Sequence, residues 1–504
     1  MIYPSEKEFL QLTKKGNLIP VYKEILGDLE TPVSAYFKIA KDAKYSFLLE
    51  SIEGEEKFAR FSFLAKDPEL IFQSKGKEVT ITRIEKDTAQ TETHPIKDTP
   101  LSFLRNIMKQ YKFVAVGGLP IFCGGLVGYM SYDTVRFFER LPEPKRDDLN
   151  LPDILLVLAK DLIIFDHLNH KIKIISCAYI DQKASNKEKL AAYNQALKKI
   201  ERLTEELRQP LDIPSTRSGK PASVNALKVT SNFTKKQFEA AVRKAQKEIR
   251  AGEIIQVVPS QRFMVDLKTN PFNIYRTLRA LNPSPYMYYL HFDGIDIAGA
   301  SPEVFVRCEN GIVETRPIAG TRPRGKDEKE DVRLAKELLA DPKEKAEHIM
   351  LVDLGRNDLG RICKKGSVHL SEFMVIEKYS HVMHIISNVK GILRDDKDIF
   401  DILPATFPAG TVSGAPKIRA MEIINELENV KRGPYAGCVG YFSFSGNLDT
   451  CITIRTIVAK DKKAYVQAGG GIVADSKPAN EYQETVNKAK AQITAIQMAH
   501  QSTF

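Results

Sequence analysis

Six short β-rich runs crowd the first 180 residues: Tyr45–Glu50, 61–64, 79–84, Ile154–Ala159, 162–166 and Lys171–Tyr179. Runs this short, rich in Val, Ile, Phe and Tyr, are stable only as strands of larger sheets. The pattern then changes. Residues 187–207 have the spacing of a charged amphipathic helix. Residues 208–222 are polar and Pro-punctuated and read as a mobile loop. Beyond them helices and strands mix. Thr234 is placed to cap a helix over 234–251, with Gln237 completing a capping box, Gly252 ending it, and Phe238, Val242, Ala245 and Ile249 forming its buried stripe. Residues 253–264 read as one strand. No repeat or heptad array is present. The expected fold is α+β, with large antiparallel sheets flanked by helices. Its β-rich region is 1–224, and a second region follows over 225–504.

At 504 residues the chain has room for two to four ordinary domains or one large two-layered enzyme. It is 43% hydrophobic and 27% charged, as a globular protein is. No apolar run approaches the roughly 20 residues of a membrane span, and the N-terminus has no signal-peptide core. The six cysteines are scattered, which predicts reduced thiols and a cytoplasmic location. The net charge of +10 comes from lysines interspersed with glutamates, not from a basic stripe with interleaved aromatics. Neither nucleic acid nor membrane is therefore expected as a partner. Tryptophan is absent altogether.

Two Glu-x-x-Glu motifs stand out: Glu344 and Glu347 in Lys343-Glu-Lys-Ala-Glu-His348, and Glu481 and Glu484 in Asn480-Glu-Tyr-Gln-Glu484. Residues three apart on a helix share a face. Four carboxylates sharing one pocket repel unless a cation sits among them, and a hard, oxygen-liganded ion such as Mg²⁺ fits. Either pair alone reads equally well as an ordinary solvated helix face. Just before the second pair, Gln467-Ala-Gly-Gly-Gly-Ile-Val-Ala-Asp475 exposes backbone N–H groups to an anion. Phe407-Pro-Ala-Gly-Thr-Val-Ser-Gly-Ala-Pro-Lys417 opens a helix expected over 418–428 and departs from a Walker A loop, though its amides are free to face an anion. Cys438, in Ala436-Gly-Cys-Val-Gly440, has only His500 downstream of it and reads as structural.

In order along the chain come Arg316-Pro-Ile-Ala-Gly-Thr321, Asp353-Leu-Gly-Arg-Asn-Asp358, His384, 407–417, Gly469-Gly-Gly471 and Glu481-Tyr-Gln-Glu-Thr485. This series resembles the chorismate-utilising enzymes and, within them, the large subunits of anthranilate synthases. Weaker matches are Leu48-Leu-Glu-Ser51 and Gly124-Gly-Leu-Val-Gly-Tyr-Met-Ser-Tyr-Asp133. Two positions separate the siblings. A lysine in place of Ala319 would resemble the aminodeoxychorismate synthases, the alternative reading, and a lysine in place of Gln256 the isochorismate and salicylate synthases.

The resemblance implies a two-layered fold and a Mg²⁺-dependent lyase converting chorismate and ammonia to anthranilate and pyruvate. It implies Mg²⁺ held by Glu347 and Glu484, with Glu344 and Glu481 acting through waters. Glu303 in Ala300-Ser-Pro-Glu303 is the implied general acid, which requires a partly desolvated carboxyl. His384 assists pyruvate loss, and Thr321 stands with these two. Tyr435, Arg455 (expected on a strand) and Gly469, Gly470 and Gly471 hold the enolpyruvyl carboxylate, with Gly320, Thr411 and Lys488 as further contacts. Glu50, Ser51, Pro285, Tyr286, Met287 and Tyr441 resemble a tryptophan feedback site. No glutaminase region is apparent, so a separate glutamine amidotransferase subunit in an α2β2 heterotetramer is expected.

Overall fold

The computed structural model describes residues 2–51, 60–85, 88–143, 145–181, 183–211, 227–379 and 382–501. Most of the expected loop at 208–222, from 212 onward, lies outside the described residues. Two twelve-stranded sheets dominate, and every ladder between their strands is antiparallel among the described residues. The first sheet runs from Ile2–Tyr3 to Thr230–Ser231 and has Tyr45–Glu50, Tyr286–Phe292, Ile295–Ser301, Thr456–Lys460 and Lys463–Gly469 in its middle. The second carries Ile318–Pro323, Val382–Ile392, Val304–Glu309, Leu448–Ile452, Cys438–Ser443, Gly125–Met130 and Ile154–Ala159.

Period-two alternation decides which side chain enters which core. On Asp161–Asp166, Leu162 and Ile164 pack into the core shared by the two sheets. Ile163 and Phe165 pack into a second core, with Tyr193, Ala196 and Ile200 of the helix Asn186–Arg208 and with Tyr275 and Ile496. Each such side chain stabilises the fold by roughly 1.5–3 kcal/mol. Ile154–Ala159 is buried at every position, so its run is continuously apolar instead of alternating. Residues before and after 224 share both sheets: Tyr45–Glu50 pairs with Tyr286–Phe292, and Gly125–Met130 with Cys438–Ser443. The division at 224 is therefore one of sequence and not of space.

The helix Lys235–Arg250 begins at Thr234 with the expected capping box. Residue Gly252 lies past its end, at φ +81°. The expected single strand over 253–264 is two. Gln256–Val257 pairs with Gly414–Ala415, and Ser260–Asp266 pairs with Lys463–Gly469. Between them lies Pro259, which has no N–H to donate to a ladder.

Candidate active site

The cavity that gathers the chemistry forms where strands leave one sheet for the other. The chain passes from Ile295–Ser301 in the first sheet to Val304–Glu309 in the second, leaving Glu303 between them. It returns from Leu448–Ile452 to Thr456–Lys460, leaving Arg455 between those. The crossovers are stitched together: Ile452 N donates to Glu303 O at 3.1 Å, Ala300 N to Arg455 O at 3.2 Å, and the Ser301 hydroxyl to Ile452 O at 2.7 Å. Arg455 is thus not on a strand as expected. It sits at φ +53°, a conformation that a non-glycine residue holds only when its surroundings enforce it.

A cavity of about 590 Å³ is lined by Glu303, Gly320, Thr321, Glu344, Glu347, Thr411, Tyr435, Arg455, Gly469, Gly471, Glu481, Glu484 and Lys488. His384 is not among the lining residues but bonds to two of them, Gly320 and Thr321, and Gly470 stands between two others. The structure therefore brings together nearly all the residues singled out by the sequence. Gln256 and Gln467 line it too, and the structure adds Val258 and Ile454, which no local motif marks.

Glu303 is only 6% exposed. Burial pushes its carboxyl pKa up to about 8, against the Thr411 hydroxyl, which donates to it at 2.7 Å, and against the charge of Lys488. At neutral pH it holds a proton. On the adjacent crossover Arg455 donates to Lys488 O at 2.5 Å, and burial lowers its pKa without removing its charge. Burial raises the Tyr435 phenol to about 12. Two of the three glycines of 469–471 are there for close approach: a Cβ at Gly469 would lie 2.7 Å from the Tyr435 hydroxyl, and one at Gly471 2.4 Å from Gln256 Nε2.

His384 lies on Val382–Ile392, opposite Thr321 in register, beside a bulge at Gly320 (φ +70°). Its Nδ1 is 2.9 Å from Gly320 O and 3.0 Å from Thr321 Oγ1. A carbonyl only accepts, so Nδ1 carries the hydrogen and Nε2 keeps its lone pair. Burial lowers the His384 pKa, aided by the charge of Arg455.

The helix Pro342–Gly360 starts on Asp341, which accepts from Lys343 N and Glu344 N, and presents Glu344 and Glu347 to the cavity. The helix Pro478–Gln501 presents Glu481 in its first turn and Glu484 one turn-step on. Glu484 meets Lys488 at 2.6 Å, Glu344 meets Arg322 at 3.2 Å, and Glu347 accepts from Gln256 at 3.0 Å. Among the described residues no three acidic, His or Cys side chains close into a metal cage. The donor set nevertheless fits a hard divalent ion: four carboxylates on two helices line one cavity, and a Cβ at Gly470 would lie 3.6 Å from both Glu481 and Glu484. The Glu481 pKa is raised by burial and by Glu484, the repulsion that a cation would relieve.

The glycine turn of the 407–417 segment serves close backbone packing. Gly414, at φ +131°, is laddered to Val257, and a Cβ there would lie 2.1 Å from Gln256 O. Lys417 is spent on Asp358 at 2.7 Å, which clips the Thr411 turn to the Glu344–Glu347 helix. Helix Lys417–Leu427 follows Pro416.

A second cavity, of about 330 Å³, holds Glu50, Ser51, Pro285, Tyr286, Met287 and Tyr441 together. Its wall is aromatic, with Phe122 stacked on Tyr441 at 4.1 Å between centroids. Buried Glu50 already accepts from Arg279 at 3.0 and 3.2 Å and from the Tyr275 hydroxyl. The Ser51 hydroxyl is buried with no protein partner among the described residues. The sequence did not single out Arg307 and Asp449, a half-buried pair at 3.2 Å bridged by Tyr286. The signal available was a lone arginine inside the apolar run Val304–Glu309.

The chain belongs to the family of chorismate-binding enzymes, whose model matches residues 45–494. Within that family it is similar to anthranilate synthase component 1: 51% identical to that of Acetivibrio thermocellus over 99% of both chains, and 48% identical to that of Aquifex aeolicus over 99% and 98%. The crystal structure of anthranilate synthase component I from Streptococcus pneumoniae superposes with a TM-score of 0.75 at 39% identity, covering 93% of this chain and 99% of that one. The menaquinone-specific isochorismate synthase of Escherichia coli shares the fold, with a TM-score of 0.66 at 20% identity over 98% and 99%.

Proposed function

We infer that this chain is the large subunit of an anthranilate synthase and converts chorismate and ammonia to anthranilate, pyruvate and water. The observation that carries the reaction is Glu303: a carboxyl that is still protonated at neutral pH, lining the same cavity as Arg455 and Tyr435. In the proposed course Arg455 and the amides of Gly469 and Gly471 bind the enolpyruvyl carboxylate; the Gly470 amide, which the sequence also put there, is spent on Pro259 O at 3.2 Å. Ammonia attacks C2 directly. Ala319 offers no nucleophile and Gln256 no base, and ammonia needs neither. Glu303 gives its proton to the departing C4 hydroxyl, which leaves as water. His384, neutral and oriented by Gly320, takes up a proton as pyruvate is expelled and the ring aromatises. Glu347 and Glu484, with Glu344 and Glu481 through waters, would hold Mg²⁺, which when bound neutralises and orients the ring carboxylate.

The second cavity fits tryptophan as feedback inhibitor. It offers an aromatic slot for the indole, Glu50 for the amino group and the unpaired Ser51 hydroxyl. Strands from both sides of 224 build it. A glutamine amidotransferase partner supplying ammonia, an α2β2 assembly and a cytoplasmic setting complete the reading. All six cysteines are free and buried, and no helix among the described residues is long and apolar enough to cross a membrane.

The test is to mix the purified chain with chorismate, Mg²⁺ and ammonium, without glutamine, and follow anthranilate fluorescence. Mg²⁺-dependent anthranilate formation is expected. Chorismate consumption without anthranilate points instead to 4-amino-4-deoxychorismate as product and overturns the reading.

A further inference from the structure

Behind the floor of the catalytic cavity lies an ion pair that touches no bulk solvent and that none of the roles above uses. Arg432 is 2% exposed and Glu428 4%. Both follow the helix Lys417–Leu427, four residues apart. The guanidinium spends its donors on Glu428 at 2.7–3.1 Å, on Val412 O at 2.7 Å and on Val258 O at 2.6 Å. Its flat face lies 4.6 Å from the Tyr132 ring centroid and 5.6 Å from that of Tyr435. Glu428 in turn accepts from the amide and hydroxyl of Ser260, both at 2.8 Å, and that hydroxyl accepts from Gln467 at 2.8 Å.

Val258, Val412, Tyr435 and Gln467 all line the cavity, and they come from four separate stretches of chain. No ladder joins all four. Arg432 reaches Val258, Val412 and Tyr435 together, and Glu428 ties in the fourth through Ser260. We propose that the buried Arg432–Glu428 pair is a positioning device for chorismate: it holds the Tyr435 wall and the two facing carbonyl segments in register, and so sets substrate affinity without touching substrate. This rests on the chorismate reading of the cavity. The geometry favours arginine, since only a planar fork serves two carbonyls and a carboxylate at once. A mere stability role is the alternative, and buried pairs are frequently replaceable by apolar side chains without loss of stability.

That alternative selects the experiment. Arg432→Met/Glu428→Met removes both charges and leaves neither uncompensated, so the chain should fold; Arg432→Lys keeps the charge and loses the fork. Thermal unfolding, chorismate affinity by calorimetry and ammonia-dependent kinetics are measured beside the unaltered chain. The expected result is a double variant that unfolds near the wild-type temperature yet has a chorismate KM raised at least about tenfold, as a misplacement of around 1 Å would produce. Arg432→Lys is expected to recover only part of it. A folded double variant with wild-type KM and chorismate affinity overturns the positioning role. If the double variant does not fold, Arg432→Lys with wild-type affinity overturns it equally. An unaltered chain that fails to bind chorismate overturns the chorismate reading itself.

Discussion

A carboxyl with a pKa near 8 is protonated in the folded state where the unfolded chain, at the ordinary 4.5, has already lost its proton. Glu303 therefore makes the folded state less favourable as pH rises from about 4.5 to 8, the opposite sign to a salt-bridged acid. The same proton is the one needed for the leaving hydroxyl, so anthranilate formation should fall above pH 8. Thr411→Val removes the donor that lowers this pKa, and the falling limb of the pH–rate profile should move to higher pH; an unmoved limb would mean that another group sets it. Glu303→Gln should lower kcat by about 10²–10⁴ with little change in KM. Gly469→Ala is a steric prediction. The new Cβ meets the Tyr435 hydroxyl and Pro259 O inside 3 Å, so kcat/KM for chorismate should drop at least about tenfold.

At the scale of elements, helix identity was legible wherever the signals are local. Thr234 with Gln237, and Asp341 with Pro342, are capping pairs that any chain context permits, and both helices start where those residues stand. The break at Pro259 and the place of Arg455 were not legible, because a strand's end depends on what it pairs with. The clip between Lys417 and Asp358 also needs the fold, since it joins elements 59 residues apart in sequence. Asp358 has a pKa pushed up to about 6 by burial, partly opposed by Lys417. Lys417→Met leaves that acid buried and unpaired, and should cost about 3 kcal/mol in denaturant unfolding. It should also slacken the helix bearing Glu344 and Glu347, and so raise the Mg²⁺ concentration needed for half-maximal activity. A variant as stable as the original would show the clip to be idle.

At the scale of the molecule, the two cavities are joined by the strand Leu448–Ile452 and the crossover that follows it. Asp449 and Cys451 line the second cavity, and Ile454 and Arg455, a few residues on, line the first. Coupling between bound ligands must be reciprocal in free energy. The factor by which tryptophan weakens chorismate binding should equal the factor by which chorismate weakens tryptophan binding. The chain has no tryptophan of its own, so the ligand's indole fluorescence reports that second affinity without background. Unequal factors at equilibrium would mean more than one tryptophan site.

The chemistry of the residues, the capped helices and the β-rich character of the first half belong to the sequence by itself, because donors, acceptors, caps and side-chain periodicity act over a few residues. The two carboxylate pairs were visible for the same reason. Tertiary structure alone decided that strands from both sides of 224 share two sheets, that Glu303 and Arg455 sit on adjacent crossovers, and that Arg432 braces the cavity from behind. Those outcomes depend on burial and on pairing between segments hundreds of residues apart, and the raised pKa of Glu303 exists only once the fold has buried it.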